Sequence, residues 1–89
     1  MDTYREVKDF ARAKTYLLDG LNRAKKMNNK YLEATAYGYL GWLYRDMGNK
    51  KSAKDYLSKA YDLFKSIGAE GYASAVLQDL MMLEKEVSK

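Results

Sequence analysis

The stretch of sequence that decides the fold runs from Ala34 to Ile67 and reads ATAYGYLGWLYRDMGNKKSAKDYLSKAYDLFKSI. It predicts two helices joined by a tight turn at Gly48-Asn49, because apolar and small residues recur on each side of the turn with the spacing of one helix face. These residues are Tyr37, Leu40, Gly41 and Tyr44 in the first helix, and Ala53, Tyr56, Leu57, Ala60, Phe64 and Ile67 in the second. The small members of this set would let the two helices pack closely.

The same residues carry a resemblance to a known family. Tyr37-x-x-Leu40-Gly41-x-x-Tyr44, followed by Ala53-x-x-x-Leu57 and Ala60, resembles the tetratricopeptide repeat (TPR) pattern, with Tyr for its usual Trp and Leu for its usual Phe. Lys65 stands where the family has a proline. The resemblance implies a helical hairpin whose first helix lines a concave groove that receives an extended peptide or a helix.

The chain also repeats itself at an offset of 40 residues. The aligned identical pairs are Tyr4–Tyr44, Arg5–Arg45, Ala13–Ala53, Lys14–Lys54, Tyr16–Tyr56, Leu17–Leu57, Lys25–Lys65, Leu40–Leu80 and Leu43–Leu83. Self-similarity at a fixed period is typical of solenoid arrays. The prediction is an all-α protein of stacked antiparallel hairpins, a short TPR-like α-α solenoid with helices near 4–27, 30–47, 50–67 and 70–88. It is one domain, 1–89, divided into a half repeat (1–28), a full repeat (30–67) and a half repeat (70–88).

Two details of this division depend on single residues. The first helix is expected to run unbroken through Lys8-Asp9, because Lys8 replaces the glycine that would let the chain turn there. Asn28-Asn29 is expected to end that helix, because Asn tolerates the left-handed conformation and also caps a following helix.

Composition argues against several classes of function. The 89 residues include no His and no Cys, which removes the commonest general base, nucleophile and metal ligands. The acidic residues have basic neighbours at helical spacing, as on a solvated helix surface. We therefore expect no enzyme, no cofactor and no metal site. No apolar run approaches the roughly 18 residues that would span a bilayer, and the expected location is the cytoplasm.

The predicted binding surface follows from helical phase. At 100° per residue, Thr35, Tyr39, Trp42 and Asp46 point away from the core of the hairpin. The 40-residue offset adds Ala75, Gln78, Asp79, Met82 and Glu86 from the last helix. Trp42 would supply contact area, and Asp46 or Arg45 would orient the partner. The predicted partner-binding residues are Thr35, Tyr39, Trp42, Arg45, Asp46, Gln78 and Met82.

Other interpretations of this surface stay open. Trp42 could instead pack as a core residue on the fourth helix or against the start of the first. TPRs that bind chaperone tails hold a terminal carboxylate with Lys and Asn on this face. Gly38, Tyr39 and Trp42 occupy those places here, so that activity is not expected.

The predicted partner is a protein or a peptide, and no membrane is expected to bind. The main alternative is a minimal or engineered repeat that associates with itself through its terminal helices, since Met81, Met82 and Leu83 widen the apolar surface of the last one. A less favoured alternative is a helical repeat that binds single-stranded nucleic acid, suggested by nine Tyr and a net charge of +4.

Overall fold

The computed structural model describes the backbone of residues 2–88 and the side chains of residues 10–85. The backbone forms four helices: α1 (Asp2–Lys26), α2 (Lys30–Asp46), α3 (Lys50–Ser66) and α4 (Glu70–Ser88). These bounds lie within two residues of the predicted ones, and α1 is continuous through Lys8 and Asp9 as expected. The predicted all-α fold is confirmed.

Three turns of the same construction separate the helices. The left-handed residues are Asn28, Gly48 and Gly68, with φ of 56°, 89° and 78°. After each of them, the next N–H donates to the carbonyl five residues back, at 2.8–2.9 Å. This bond satisfies a carbonyl that the end of the helix would otherwise leave unpaired. The side chains of Asn29 and Asn49 then cap α2 and α3, each accepting an N–H at 3.1 Å.

The helices pack in chain order, α1 on α2, α2 on α3 and α3 on α4. Such tight turns make each neighbouring pair antiparallel. The core follows α2, α3 and the inward face of α4, and its fully buried large side chains are Leu40, Leu57 and Leu83. Packing against chain neighbours is the behaviour of a repeat array.

One position differs from the apolar stripes predicted for the central hairpin. Ile67 is 39% exposed because it is the C-cap residue of α3, beyond the last residue that packs on the core. Leu83 is only 1% exposed, as its place on the apolar stripe of the last helix predicts, so the expectation that it also widens the exposed surface is wrong. It lies one turn from Leu80 and two turns from Val76, on the face of α4 that joins the core. Exposed apolar area on α4 comes instead from Tyr72, Leu77, Met81 and Met82.

Candidate functional site

One concave surface formed by the described residues is a groove of about 330 Å³, here called the α2–α4 groove. Its walls come from α2 and α4, and residues of α3 form its floor. The lining residues are Tyr31, Thr35, Gly38, Tyr39 and Trp42 from α2, Leu57 and Phe64 from α3, and Tyr72, Ala75, Val76 and Asp79 from α4. The groove therefore has four aromatic side chains on its walls, one aliphatic and one aromatic residue in its floor, and few polar groups.

Trp42 joins the two walls at one end of the groove. Its Nε1 donates a hydrogen bond to Oδ2 of Asp79 at 2.7 Å, across 37 positions of sequence. The edge of one ring meets the face of the other between Trp42 and Tyr39, with centroids 6.3 Å apart. Half of the Trp42 residue, 51%, is exposed. The structure therefore places Trp42 in the groove wall, where its contact with α4 is a polar bond at the surface.

A second aromatic cluster lies along the same groove. Tyr72 stacks on Phe64 with centroids 5.3 Å apart, and the edge of Tyr31 approaches both rings, at 5.5 and 6.1 Å. The hydrogen bond with Tyr72 raises the pKa of the Tyr31 phenol above its ordinary value, so this hydroxyl stays protonated at neutral pH. Thr35 Oγ1 donates to the Tyr31 carbonyl at 2.9 Å, which turns the Thr35 hydroxyl back onto its own helix.

The predicted site residues fall into two groups. Thr35, Tyr39 and Trp42 line the α2–α4 groove, as their helical phase indicates. Four others lie outside its lining: exposed Gln78 and Met82 on α4, half-buried Arg45, and Asp46.

Asp46 borders a different depression, shared with Tyr16 and Leu17 of α1. Of the residues added by the offset, Ala75 and Asp79 do line the groove. The side chain of Glu86 lies outside the described residues.

Sequence reasoning missed the second aromatic cluster as part of the site. Tyr31 has a usable signal, because it lies four residues before Thr35 and eight before Tyr39, on the same helix face. Phe64 belongs to the apolar stripe of its helix, and in the last helix Tyr72 begins a stripe completed by Val76, Leu77, Leu80, Leu83 and Val87, so the sequence indicates only packing roles for both aromatic residues. Phe64 is in fact buried, yet it also forms part of the groove floor, and Tyr72 is 54% exposed.

The described residues contain neither a metal-binding cluster nor a membrane-spanning helix. Among the described residues, no group of three or more His, Cys, Asp or Glu is arranged to hold a metal ion. In the same part of the chain, no helix is both long enough and apolar enough to cross a membrane.

Comparison with known proteins gives the class of the chain. A family model described as tetratricopeptide repeat matches residues 2–66. The match covers well over half of the sequence, and the chain belongs to the tetratricopeptide repeat family. Neither a curated protein nor a solved structure matches it. Proteins of this family are generally protein-interaction scaffolds and are typically not enzymes.

Proposed function

We propose that the chain is a non-catalytic protein-interaction module that binds an extended peptide or a helix in the α2–α4 groove. The observation that carries this proposal is the pair of half-exposed rings, Trp42 and Tyr39, on one wall of a concave surface. Trp and Tyr anchor interfaces because each buries a large area at a small cost in conformational entropy. A mostly apolar concavity with a few placed polar groups is the usual form of a binding site.

The polar groups of the groove would orient the bound segment. Asp79 is held in place by the Trp42 indole, so its carboxylate is positioned before a partner arrives. It takes the orienting role that the sequence suggested for Asp46 or Arg45. We keep Arg45, Asp46, Gln78 and Met82 as candidates for contacts beyond the groove itself.

The test is selection of peptides from a displayed library of random twelve-residue sequences, followed by affinity measurements on purified variants. Trp42→Ala should remove most of the binding while leaving the melting temperature nearly unchanged, because a half-exposed side chain contributes little to the core. Tyr16→Ala is the matched control, since Tyr16 is 79% exposed and lies outside the α2–α4 groove. Peptides that bind Trp42→Ala as well as the wild type, or that require Tyr16 instead, would contradict the proposal.

A second candidate function is self-association through the terminal helices. It is favoured by exposed apolar side chains on α4, where Met81 is 59% and Leu77 40% exposed. Apolar area of this kind is commonly covered by a protein neighbour. A second copy of the chain would be one such neighbour.

A further inference from the structure

We propose that the α2–α4 groove selects a peptide segment in which a cationic side chain, arginine or lysine, stands beside an apolar one. This inference rests on the proposed function, because it names the chemistry of the segment bound at the same site.

The charge of the groove lining favours a cationic ligand. The chain carries 16 basic and 12 acidic residues, yet among the described residues 10–85 no Lys or Arg lines this groove. The charged residue that does line it is Asp79. A carboxylate bordered by low-dielectric walls acts on a ligand more strongly than the same charge on an open surface. The local potential therefore favours a cation and opposes an acidic peptide.

The aromatic side chains on the groove walls can attract a cation. Ring faces attract cations, and the fold shows this elsewhere: Nζ of Lys59 lies 5.6 Å from the centroid of the Tyr37 ring, and Nζ of Lys14 lies 5.6 Å from that of Tyr44. These lysines lie outside the groove lining. The groove has its own half-exposed rings, and none of its described lining residues is a Lys or Arg that could lie on them. These rings belong to Tyr31, Tyr39, Trp42 and Tyr72.

Asp79 lies where one cationic group could contact its carboxylate and an aromatic ring together. Its Oδ2 accepts the Trp42 indole N–H at 2.7 Å, which places a carboxylate at the edge of an aromatic face. An ionised carboxylate accepts several hydrogen bonds, so Asp79 can accept others besides the one from the indole. A guanidinium or ammonium group could therefore lie against a ring and donate to Asp79 at the same time.

The aliphatic lining on α4 explains why an apolar neighbour is part of the proposal. Ala75 and Val76 line the groove and precede Asp79 by four and three residues, so they lie about one helical turn from its carboxylate. A volume of about 330 Å³ is larger than one charged group needs, and this leaves space for an apolar side chain. Burial of the apolar side chain would supply most of the affinity, while the cation would make the groove prefer this peptide over neutral or acidic ones.

The experiment uses four displayed libraries of twelve-residue peptides, random except for one central residue fixed as Arg, Lys, Gln or Glu. Retention on the immobilised full chain is compared at low and high salt. We expect Arg and Lys libraries to yield binders about 5- to 20-fold tighter than the Gln library, with Glu weakest, from one ion pair and one cation–ring contact. The preference should shrink at high salt.

Two variants with the same net charge distinguish an effect of the Asp79 carboxylate in the groove from an effect of the protein's overall charge. Asp79→Asn removes the charge but keeps a carbonyl oxygen that can accept the Trp42 N–H, so peptides should still bind while the preference for Arg and Lys over Gln falls to about 2- to 5-fold, the part that the cation–ring contact supplies. Asp55→Asn makes the same change of charge on α3 outside the groove lining, and the preference should remain.

The outcomes distinguish the two proposals. If no library yields peptides whose binding requires Trp42, the proposed function fails, and this inference fails with it. If binding requires Trp42 but Gln or Glu peptides bind as well as Arg and Lys peptides, the proposed function stands and this inference is overturned. A cation preference that keeps its full size in Asp79→Asn would also overturn it, because the ion pair with Asp79 would then contribute nothing to the selectivity.

Discussion

Single residues with left-handed backbone decide where the helices end. Asn28, Gly48 and Gly68 stand 20 residues apart and adopt φ of 56°, 89° and 78°. An L-residue with a bulky Cβ is strained in this region, whereas Gly is not strained and Asn is tolerated. The use of Asn at the first turn shows that this fold accepts either residue there.

Gly48 provides a test of that account. Gly48→Ala should lower the free energy of unfolding by roughly 1–2 kcal/mol, because alanine must take the left-handed conformation. Gly48→Asn should cost less, as Asn28 occupies the equivalent position at the end of α1. Urea denaturation of the three proteins measures both differences. Equal stability of the alanine variant and the wild type would mean that the α2–α3 turn adjusts without strain.

Trp42 is the residue on which the binding proposal depends, and as the single tryptophan it reports its own environment. Because the residue is 51% exposed and its Nε1 donates to a carboxylate, emission should lie towards the water-exposed limit, and acrylamide should quench it readily. Binding of a peptide in the groove should then shift the emission to the blue and protect it. Strongly blue-shifted, quencher-resistant emission from the free monomer would contradict the placement of Trp42 in an open groove.

At the scale of elements, the closest packing is where α2 crosses α3. A Cβ built on Gly41 would lie 2.6 Å from Cγ and 2.7 Å from Cδ2 of Leu57, and 3.2 Å from the Ala53 carbonyl oxygen. Leu57 and Ala53 are both fully buried, so neither can move aside easily. The absence of a side chain at Gly41 is thus what allows the two helices to approach.

Gly41→Ala should therefore overpack this crossing. Gly20→Ala is the matched control, because Gly20 is also inside a helix and an added Cβ there meets nothing within 4 Å. Both variants gain the helix propensity of alanine, which cancels in the comparison. We expect Gly41→Ala to unfold with roughly 1–3 kcal/mol less free energy than Gly20→Ala. Stabilisation of both variants to the same extent would show that α2 and α3 can separate without cost.

At the scale of the whole molecule, the fold leaves apolar surface on both terminal helices. Tyr16 and Leu18 of α1 are exposed, as are Leu77, Met81 and Met82 of α4. An ion pair between α3 and α4, Lys54 with Glu84 at 3.1 Å, is exposed on both sides and adds little stability. Another protein surface that binds to these terminal helices would therefore be stabilised mainly by the burial of their exposed apolar side chains.

Sedimentation of the 89-residue chain tests whether copies of it supply that surface. If α4 mediates self-association, the mean mass should rise with concentration, and Met81→Lys should shift the equilibrium towards monomer without affecting the helical circular dichroism. Leu83 is unsuitable for this test, since it is 1% exposed and a polar residue there would unfold the core. A mass that stays monomeric into the millimolar range would leave peptide binding as the remaining candidate function.

The sequence alone was sufficient for features that depend on neighbours along the chain. Helix bounds, turn positions and the close approach at Gly41 follow from local conformational preference and from the 3.6-residue period. The outward phase of Trp42 follows from the same period. Each of these properties is decided within one or two turns of helix, so spacing alone carries the information.

Only the tertiary structure decided which outward side chains meet. The Trp42–Asp79 bond and the Tyr31–Tyr72 contact each join α2 to α4, so they depend on how α4 is rotated on α3. Helix α4 has apolar residues on more than one face, so its periodicity allows more than one rotation. Burial of Leu83 on α3 selects one of these, because it leaves the flexible methionines in water and aims Asp79 into the groove.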